Sequence, residues 1–362
     1  MPFDLSPQGS GHAEFYGLCY NLYNYWGGCF LKKTYLFLLS TLTVLSFFSW
    51  NCSKTYTFTP VSPAVIATPT PTPVPGTVWV EATANAAFPG RGAHTSLVYN
   101  NNMWVIGGYN GTLYYNDVWN SADGVNWNES TASAAFSARD GQASVVYNSA
   151  MWVIAGAGTS LYNDVWSSTN GRTWTQATAG AAFSPRLLQT SVVYNGAMWI
   201  IGGYNGATYY NDVWSSTNGS TWTQATASAA FPGRYVHSSL VYNNAMWVIG
   251  GYSGSTYLND VWSSTDGVNW NEATANAAFS GRAGLTSFVF NNAMWVIGED
   301  ANGSFLNDAW FSTDGVHWTE ANASASFAGR DIHSSVVFNN AMWVIAGYDG
   351  NTNRLNDVWY SP

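Results

Sequence analysis

A Met-Trp pair recurs at Met103, Met151, Met198, Met246, Met294 and Met342, with spacings of 48, 47, 48, 48 and 48 residues. A fixed period of about 40–50 residues, with several strand-like runs per unit, points to a propeller or a solenoid. In the unit His237–Trp270 the runs are SSLVY, AMWVIGG, NDVWSS and NWNEA. Each is rich in Val, Ile, Tyr and Trp, and turn residues separate them. Asn243-Asn244 marks a hairpin between the first two runs. Asp266-Gly267 marks one between the last two, because Asp-Gly suits turns that need positive φ. No run has helical periodicity. Four antiparallel strands joined by short loops make one blade.

The tryptophans indicate how the blades close. Each unit carries one in its second, third and fourth runs, and the fourth-run series is Trp127, Trp174, Trp222, Trp270 and Trp318. The sixth unit lacks its own. Trp79, in VWVEATANAAF, lies one period before Trp127 and shares the downstream context of Trp270 in NWNEATANAAF. Residues 77–83 are therefore expected to supply the outer strand of the last blade. The expected fold is all-β: a six-bladed propeller over 77–362, closed by an N-terminal strand that leaves no open edge between the termini.

These residues resemble the kelch repeat, with an Arg before the first strand, Gly-Gly after the second, an aromatic after that and a Trp in the fourth. Blade 4 has Arg234, Gly250-Gly251, Tyr252 and Trp270. The resemblance, which extends to the galactose oxidase type of propeller, implies a disc with a central channel and function on one face. Departures occur at Ala155-Gly156-Ala157, at Gly298-Glu299-Asp300 and at Ala346-Gly347. The loss of the second Gly in blade 5 puts its loop path in question. Ser264-Thr265-Asp266-Gly267 before Trp270 also resembles the Asp-box hairpin of sialidase-like propellers, which implies a structural turn rather than chemistry.

Ahead of the propeller, residues 1–31 carry no assignable pattern, and one account is that translation begins at Leu31. Lys32-Lys33 and the apolar run 35–50 read as the start of an export signal, too short for a membrane span of about 20 residues. Cys52 follows and resembles a bacterial lipoprotein cleavage site, so 32–52 is an export signal ending at a candidate lipidated cysteine. An uncleaved anchor and a plain secretory signal are the alternatives. Residues 53–76 contain TPVSPAVIATPTPTPVPG, which favours extended polyproline conformation and reads as a stalk. The expected location is the cell envelope, with membrane contact through this N-terminal anchor.

The chain has 362 residues, of which only 9% are charged, and a net charge of −9. The low charge share, against a usual 25% or so, leaves Asn, Ser, Thr and Tyr to build the surface. The negative balance excludes nucleic acid as a natural partner. No Cys falls within 77–362, so neither a disulfide nor a Tyr–Cys cofactor is expected there. No cofactor or metal is expected, and the propeller is expected to be a monomer.

Strand alternation puts the blade-to-blade connections and the second-to-third loops on one face. Arg91, Arg139, Arg186, Arg234, Arg282 and Arg330 occupy the repeat position there, in a propeller without Lys. Guanidinium groups bind carboxylates bidentately, so one reading is a ring that takes an acidic peptide or acidic glycan. The other is that each Arg pairs with a repeat Asp: Asp117, Asp164, Asp212, Asp260, Asp308 or Asp357. Tyr109, Tyr204, Tyr252 and Tyr348 lie on the same loops and suit stacking on sugars or peptide side chains. Function should break the repeat's symmetry. Glu299 and Asp300 do so in blade 5, either as an acid/base pair or as a solvated loop. Three places after the arginines stand His94, Gln142, Gln189, His237, Leu285 and His333. With blades 1 and 4 opposite each other, the three His are not expected to converge on a metal. The sequence thus points to an exported binding module for a protein or glycan, with a carbohydrate-active enzyme and a purely structural surface protein as alternatives.

Overall fold

The computed structural model describes residues 74–301, 303–351 and 354–362, together with short strands within 21–34; the side chains of 299–301 lie outside the described residues. The chain divides into two units, Met1–Pro69 and Thr70–Pro362. In the first, Asn21–Leu22 pairs with Lys33–Thr34 and Tyr25–Trp26 with Cys29–Phe30, both antiparallel. The apolar run 35–50, Cys52 and the Pro/Thr-rich segment through residue 73 lie outside the described residues.

The second unit is a ring of six four-stranded antiparallel sheets. Blade 4 runs Ser238–Tyr242, Ala245–Tyr252, Tyr257–Ser264 and Asn271–Thr274, innermost strand first. Its first hairpin turns at Asn243 and Asn244, with φ of 46° and 56°, the geometry of a two-residue turn that matches strand twist. In the second turn Ser264 Oγ accepts the Gly267 N–H at 2.8 Å, and Asp266 accepts the amides of Val268 and Asn269. This hairpin is a structural turn, as the Asp-box resemblance implies. Trp270 belongs to it rather than to the fourth strand: the indole donates to Gly267 O at 3.2 Å, one residue before pairing starts.

The sixth blade is composite. Arg354–Ser361 pairs with Val80–Thr83 in the register Val358↔Thr83 and Trp359↔Glu81. Trp79 is buried beside them, its ring edge-on to Phe327 at 5.0 Å. The closing strand is thus Val80–Thr83, shorter than 77–83, with Trp79 in the lead-in as Trp270 is in its turn. Burying one Trp is worth about 3–5 kcal/mol on truncation to Ala. Deleting 77–83 is therefore expected to lower the unfolding free energy by at least about 3 kcal/mol, read by denaturant titration. An unchanged midpoint would refute closure by this strand.

The core is divided among the junctions, one buried cluster to each. Between blades 3 and 4 the cluster holds Trp199, Ile201, Phe231, Met246, Val248 and Trp270. Phe231 stands edge-on to Trp270 at 5.1 Å. Gly267 is required here twice over. Its φ is +74°, and a Cβ would stand 2.2 Å from the Trp199 ring of the preceding blade. Repetition of Met-Trp, Phe and Gly is therefore repetition of one inter-blade joint, as expected where each repeat packs mainly on its neighbours.

Blade 5 departs where its sequence does. Its second strand extends through Ala301 and pairs as Asp300↔Phe305 and Ala301↔Ser304. The connecting loop shrinks to two residues, against four in blades 1, 3 and 4.

Candidate functional site

The repeat arginines form one polar motif that recurs in all six blades. Arg234 Nη1 and Nη2 donate to Asp260 Oδ1 and Oδ2, both at 2.7 Å. Nη1 also donates to Gly250 O at 2.8 Å, and Nε to Pro232 O at 3.1 Å. The same Arg–Asp pair forms in every blade. All six arginines are 0% exposed. They are therefore not an exposed ring at the channel mouth. A carboxylate ligand would have to displace an Asp already held in bidentate geometry inside each blade.

This pairing explains the Gly-Gly signature. The ladder slips by one residue between Ile249 and Gly251, and Gly250 takes φ +57° and Gly251 φ +102°. The bulge turns the Gly250 carbonyl onto the guanidinium. Ala155 and Ala346 replace the first Gly at φ of 58° and 55°, a left-handed conformation that costs a non-Gly residue on the order of 1 kcal/mol. Their carbonyls still accept from Arg139 and Arg330 at 2.8 Å.

The residues around the channel form two further rings. Ala93, Gly141, Leu188, Val236, Gly284 and Ile332 all have φ between 44° and 86°. Their amides hand a bond to the preceding blade at five junctions: Ala93 N–H to Ile332 O, Gly141 to Ala93, Leu188 to Gly141, Val236 to Leu188 and Gly284 to Val236, at 2.6–3.1 Å. This collar narrows the channel. His94, Gln142, Gln189, His237, Leu285 and His333 line a cavity of about 100 Å³ with it. All three histidine positions thus border one space, with their side chains buried.

Each polar member pins its own blade to the one before. His237 Nε2 bonds Thr190 Oγ1 at 2.9 Å, His333 Nε2 bonds Thr286 Oγ1 at 3.0 Å, and His94 Nε2 bonds Ser334 Oγ at 2.6 Å. Gln142 and Gln189 donate to Ile106 O and Ile154 O at 2.8 and 3.0 Å. Burial, with a nearby Arg adding to it, drives His237 and His333 down to about 3 and His94 well below the ordinary imidazole range. All three are neutral near pH 7. Among the described residues no group of three His, Cys, Asp or Glu is placed to hold a metal ion.

On the loop face, strand register sets out short rows. Blade 3 contributes Leu187, Tyr204 and Tyr209, and blade 4 Tyr235, Tyr252 and Tyr257. Blade 1 gives Gly92, Tyr109 and Tyr114; blade 2 gives Asp140, Ala157 and Leu161; blade 6 gives Asp331, Tyr348 and Arg354. Blade 5 pairs Asp300 with Phe305, the side chains of Glu299 and Asp300 lying outside the described residues. Tyr109 packs on Tyr114 at 4.7 Å, and Arg354 sits over the Tyr348 ring at 3.8 Å. Burial raises Asp140 to about 6, against the opposing pull of Arg354.

Tyr204 and Tyr252 are brought together with three tyrosines that sequence reasoning missed: Tyr209, Tyr235 and Tyr257. Tyr204 stacks on Tyr209 at 4.6 Å, Tyr209 meets Tyr235 at 5.5 Å and Tyr252 at 6.3 Å, and Tyr252 meets Tyr257 at 5.0 Å. The usable signal was the residue after each repeat Arg, which varies as Gly92, Asp140, Leu187, Tyr235, Ala283 and Asp331 and is aromatic only in blade 4.

The KLHDC2/KLHL20/DRC7 Kelch-repeats domain model matches residues 123–298 and again 216–361. No curated protein matches the chain. The matched span carries the Arg–Asp pair, the bulge and the junction tryptophans of blades 2–6. The chain belongs to the kelch-repeat family, whose propellers commonly serve as protein-binding modules.

Proposed function

We propose that this protein is an exported, envelope-anchored kelch propeller that binds a protein or glycan through the loop face of blades 3 and 4. One observation carries the reading: Tyr204, Tyr209, Tyr235, Tyr252 and Tyr257 form a continuous, partly exposed cluster. Tyr side chains supply large, rigid contact area with a polar tip. Strict repetition serves the blades, so a cluster confined to two of them answers to something other than the ring. The repeat arginines act behind it, holding the strand ends that present the loops.

Binding is tested by screening the full-length chain against envelope proteins and a glycan panel. Tyr204→Ala/Tyr252→Ala should weaken the selected ligand at least about tenfold with the fold retained; equal affinity would overturn the reading. Lys32-Lys33, the apolar run 35–50 and Cys52 support export and anchoring. Labelled fatty acid should enter the wild type and be lost in Cys52→Ala. Absence of label from the wild type would remove the lipid anchor.

A further inference from the structure

We infer that the tyrosine cluster of blades 3 and 4 is a platform for neutral oligosaccharides, recognised by stacking and by hydrogen bonds without charge. The inference rests on the binding reading above and narrows its ligand.

The platform's shape is set before any ligand arrives. Cross-strand register places Tyr204 opposite Tyr209 and Tyr252 opposite Tyr257, and an isolated bridge places Tyr235 opposite Tyr252. Tyr209 leans across the junction onto blade 4. A Cβ on Gly254 would stand 2.6 Å from its ring, so that loop's backbone lies directly against the tyrosine. Tyr252 Oη donates to Gly254 O at 2.9 Å and ties the same loop down. Rings held this way lose little rotamer freedom on binding.

The platform's own loops are uncharged. The loops read YNGATYY in blade 3 and YSGSTY in blade 4, and contain no Asp, Glu, Lys or Arg. Arg234, the nearest cation in sequence, is 0% exposed and bound to Asp260. The flanking rows carry carboxylates, Asp140 in blade 2 and Asp300 at its position in blade 5, and the cation Arg354 belongs to blade 6, opposite blade 3 in a ring of six. An acidic glycan or peptide would find no counter-charge among the tyrosines, and its desolvation would go uncompensated.

A neutral sugar meets what is present. Its C–H face packs on an aromatic ring, while its hydroxyls exchange bonds with the Thr208, Ser253, Ser255 and Thr256 side chains and the tyrosine hydroxyls. Burial, with Tyr209 and Tyr252 adding to it, raises the Tyr235 hydroxyl above its ordinary range, so it remains a donor in neutral and mildly alkaline conditions.

The test uses the full-length chain, with cellohexaose, mannohexaose and laminarihexaose as neutral probes and hexagalacturonate as the acidic one, read by isothermal titration calorimetry. At least one neutral hexasaccharide should bind, and hexagalacturonate should bind at least about tenfold more weakly. Tyr209→Ala/Tyr235→Ala should lower the neutral affinity at least about tenfold. Tyr209→Phe/Tyr235→Phe, which keeps the rings, should retain most of it, and unchanged thermal midpoints in both variants would show that the fold persists. Neutral binding that survives Tyr209→Ala/Tyr235→Ala, or a preference for hexagalacturonate, overturns the inference. So does a protein ligand that depends on the tyrosines when no neutral sugar binds, although the binding reading would then stand. If no ligand of any class depends on them, both fail.

Discussion

Asp260→Ala is expected to destabilise the propeller by about 3–5 kcal/mol, the range for removing one partner of a buried ion pair. The substitution leaves the Arg234 guanidinium, 0% exposed, without its bidentate acceptor. It also removes the acceptor of the Trp262 indole, which donates to Asp260 Oδ2 at 2.7 Å. Arg234→Met/Asp260→Leu should cost less than Asp260→Ala alone, because no charge is then buried unpaired. Denaturant midpoints for Arg234→Met, Asp260→Leu and their double, combined in a double-mutant cycle, measure the coupling. If Asp260→Ala left stability unchanged, the pair would not be closed to solvent as described.

The second large effect is acid lability set by the channel histidines. His237 and His333 titrate at about 3 in the folded chain and His94 well below its ordinary value, against about 6.5 for an unfolded imidazole. Below pH 6.5 the unfolded chain takes up protons that the folded chain refuses. Each histidine then removes on the order of 1.4 kcal/mol per pH unit, down to the folded value. Asp140 works in the opposite direction: raised to about 6, it gains a proton in the folded state first, and between about pH 6 and 4 it offsets one histidine of the three. The net expectation is full stability above pH 6.5 and a steep fall towards pH 4. His94→Gln/His237→Gln/His333→Gln should flatten that fall, because Gln142 and Gln189 at the equivalent positions already bridge to the preceding blade, onto Ile106 O and Ile154 O, without a titrating group. Thermal midpoints from pH 8 to pH 4 decide it. Identical acid profiles for the two proteins would place the lability elsewhere.

Much of the fold was written in spacing. Trp79 identified the closing strand because packing at a junction demands the same residue at the same phase in every unit, including the unit split between the chain's ends. The repeat Arg and Asp were both visible, and their partnership was one of two readings the sequence left open. The sequence offered a guanidinium ring and a matching carboxylate ring, and only burial decides that they satisfy one another. The histidines were not expected to converge on a metal; their positions border one cavity, but each ring is buried and bonded through Nε2 to a hydroxyl of the preceding blade. The tyrosine platform was half legible. Tyr204 and Tyr252 stand in the repeat's aromatic position, whereas Tyr209 and Tyr235 join them only through cross-strand register and the lean of one blade over the next. Neither of those leaves a periodic mark.

The composite blade also orders events in time. Blades 1–5 are each contiguous in sequence, so each hairpin closes over a short loop and can form as it is synthesised. The final joint is different. Gly76 N–H donates to Ser361 Oγ across 285 positions, and Val80–Thr83 has no strand to join until Arg354–Ser361 exists. The first propeller strand made is therefore the last to be paired. Until then the nascent ring carries an open edge at each end. Folding is then a run of fast local steps followed by one slow long-range latch, and the interval before the latch is when this propeller is most exposed to pairing with another chain.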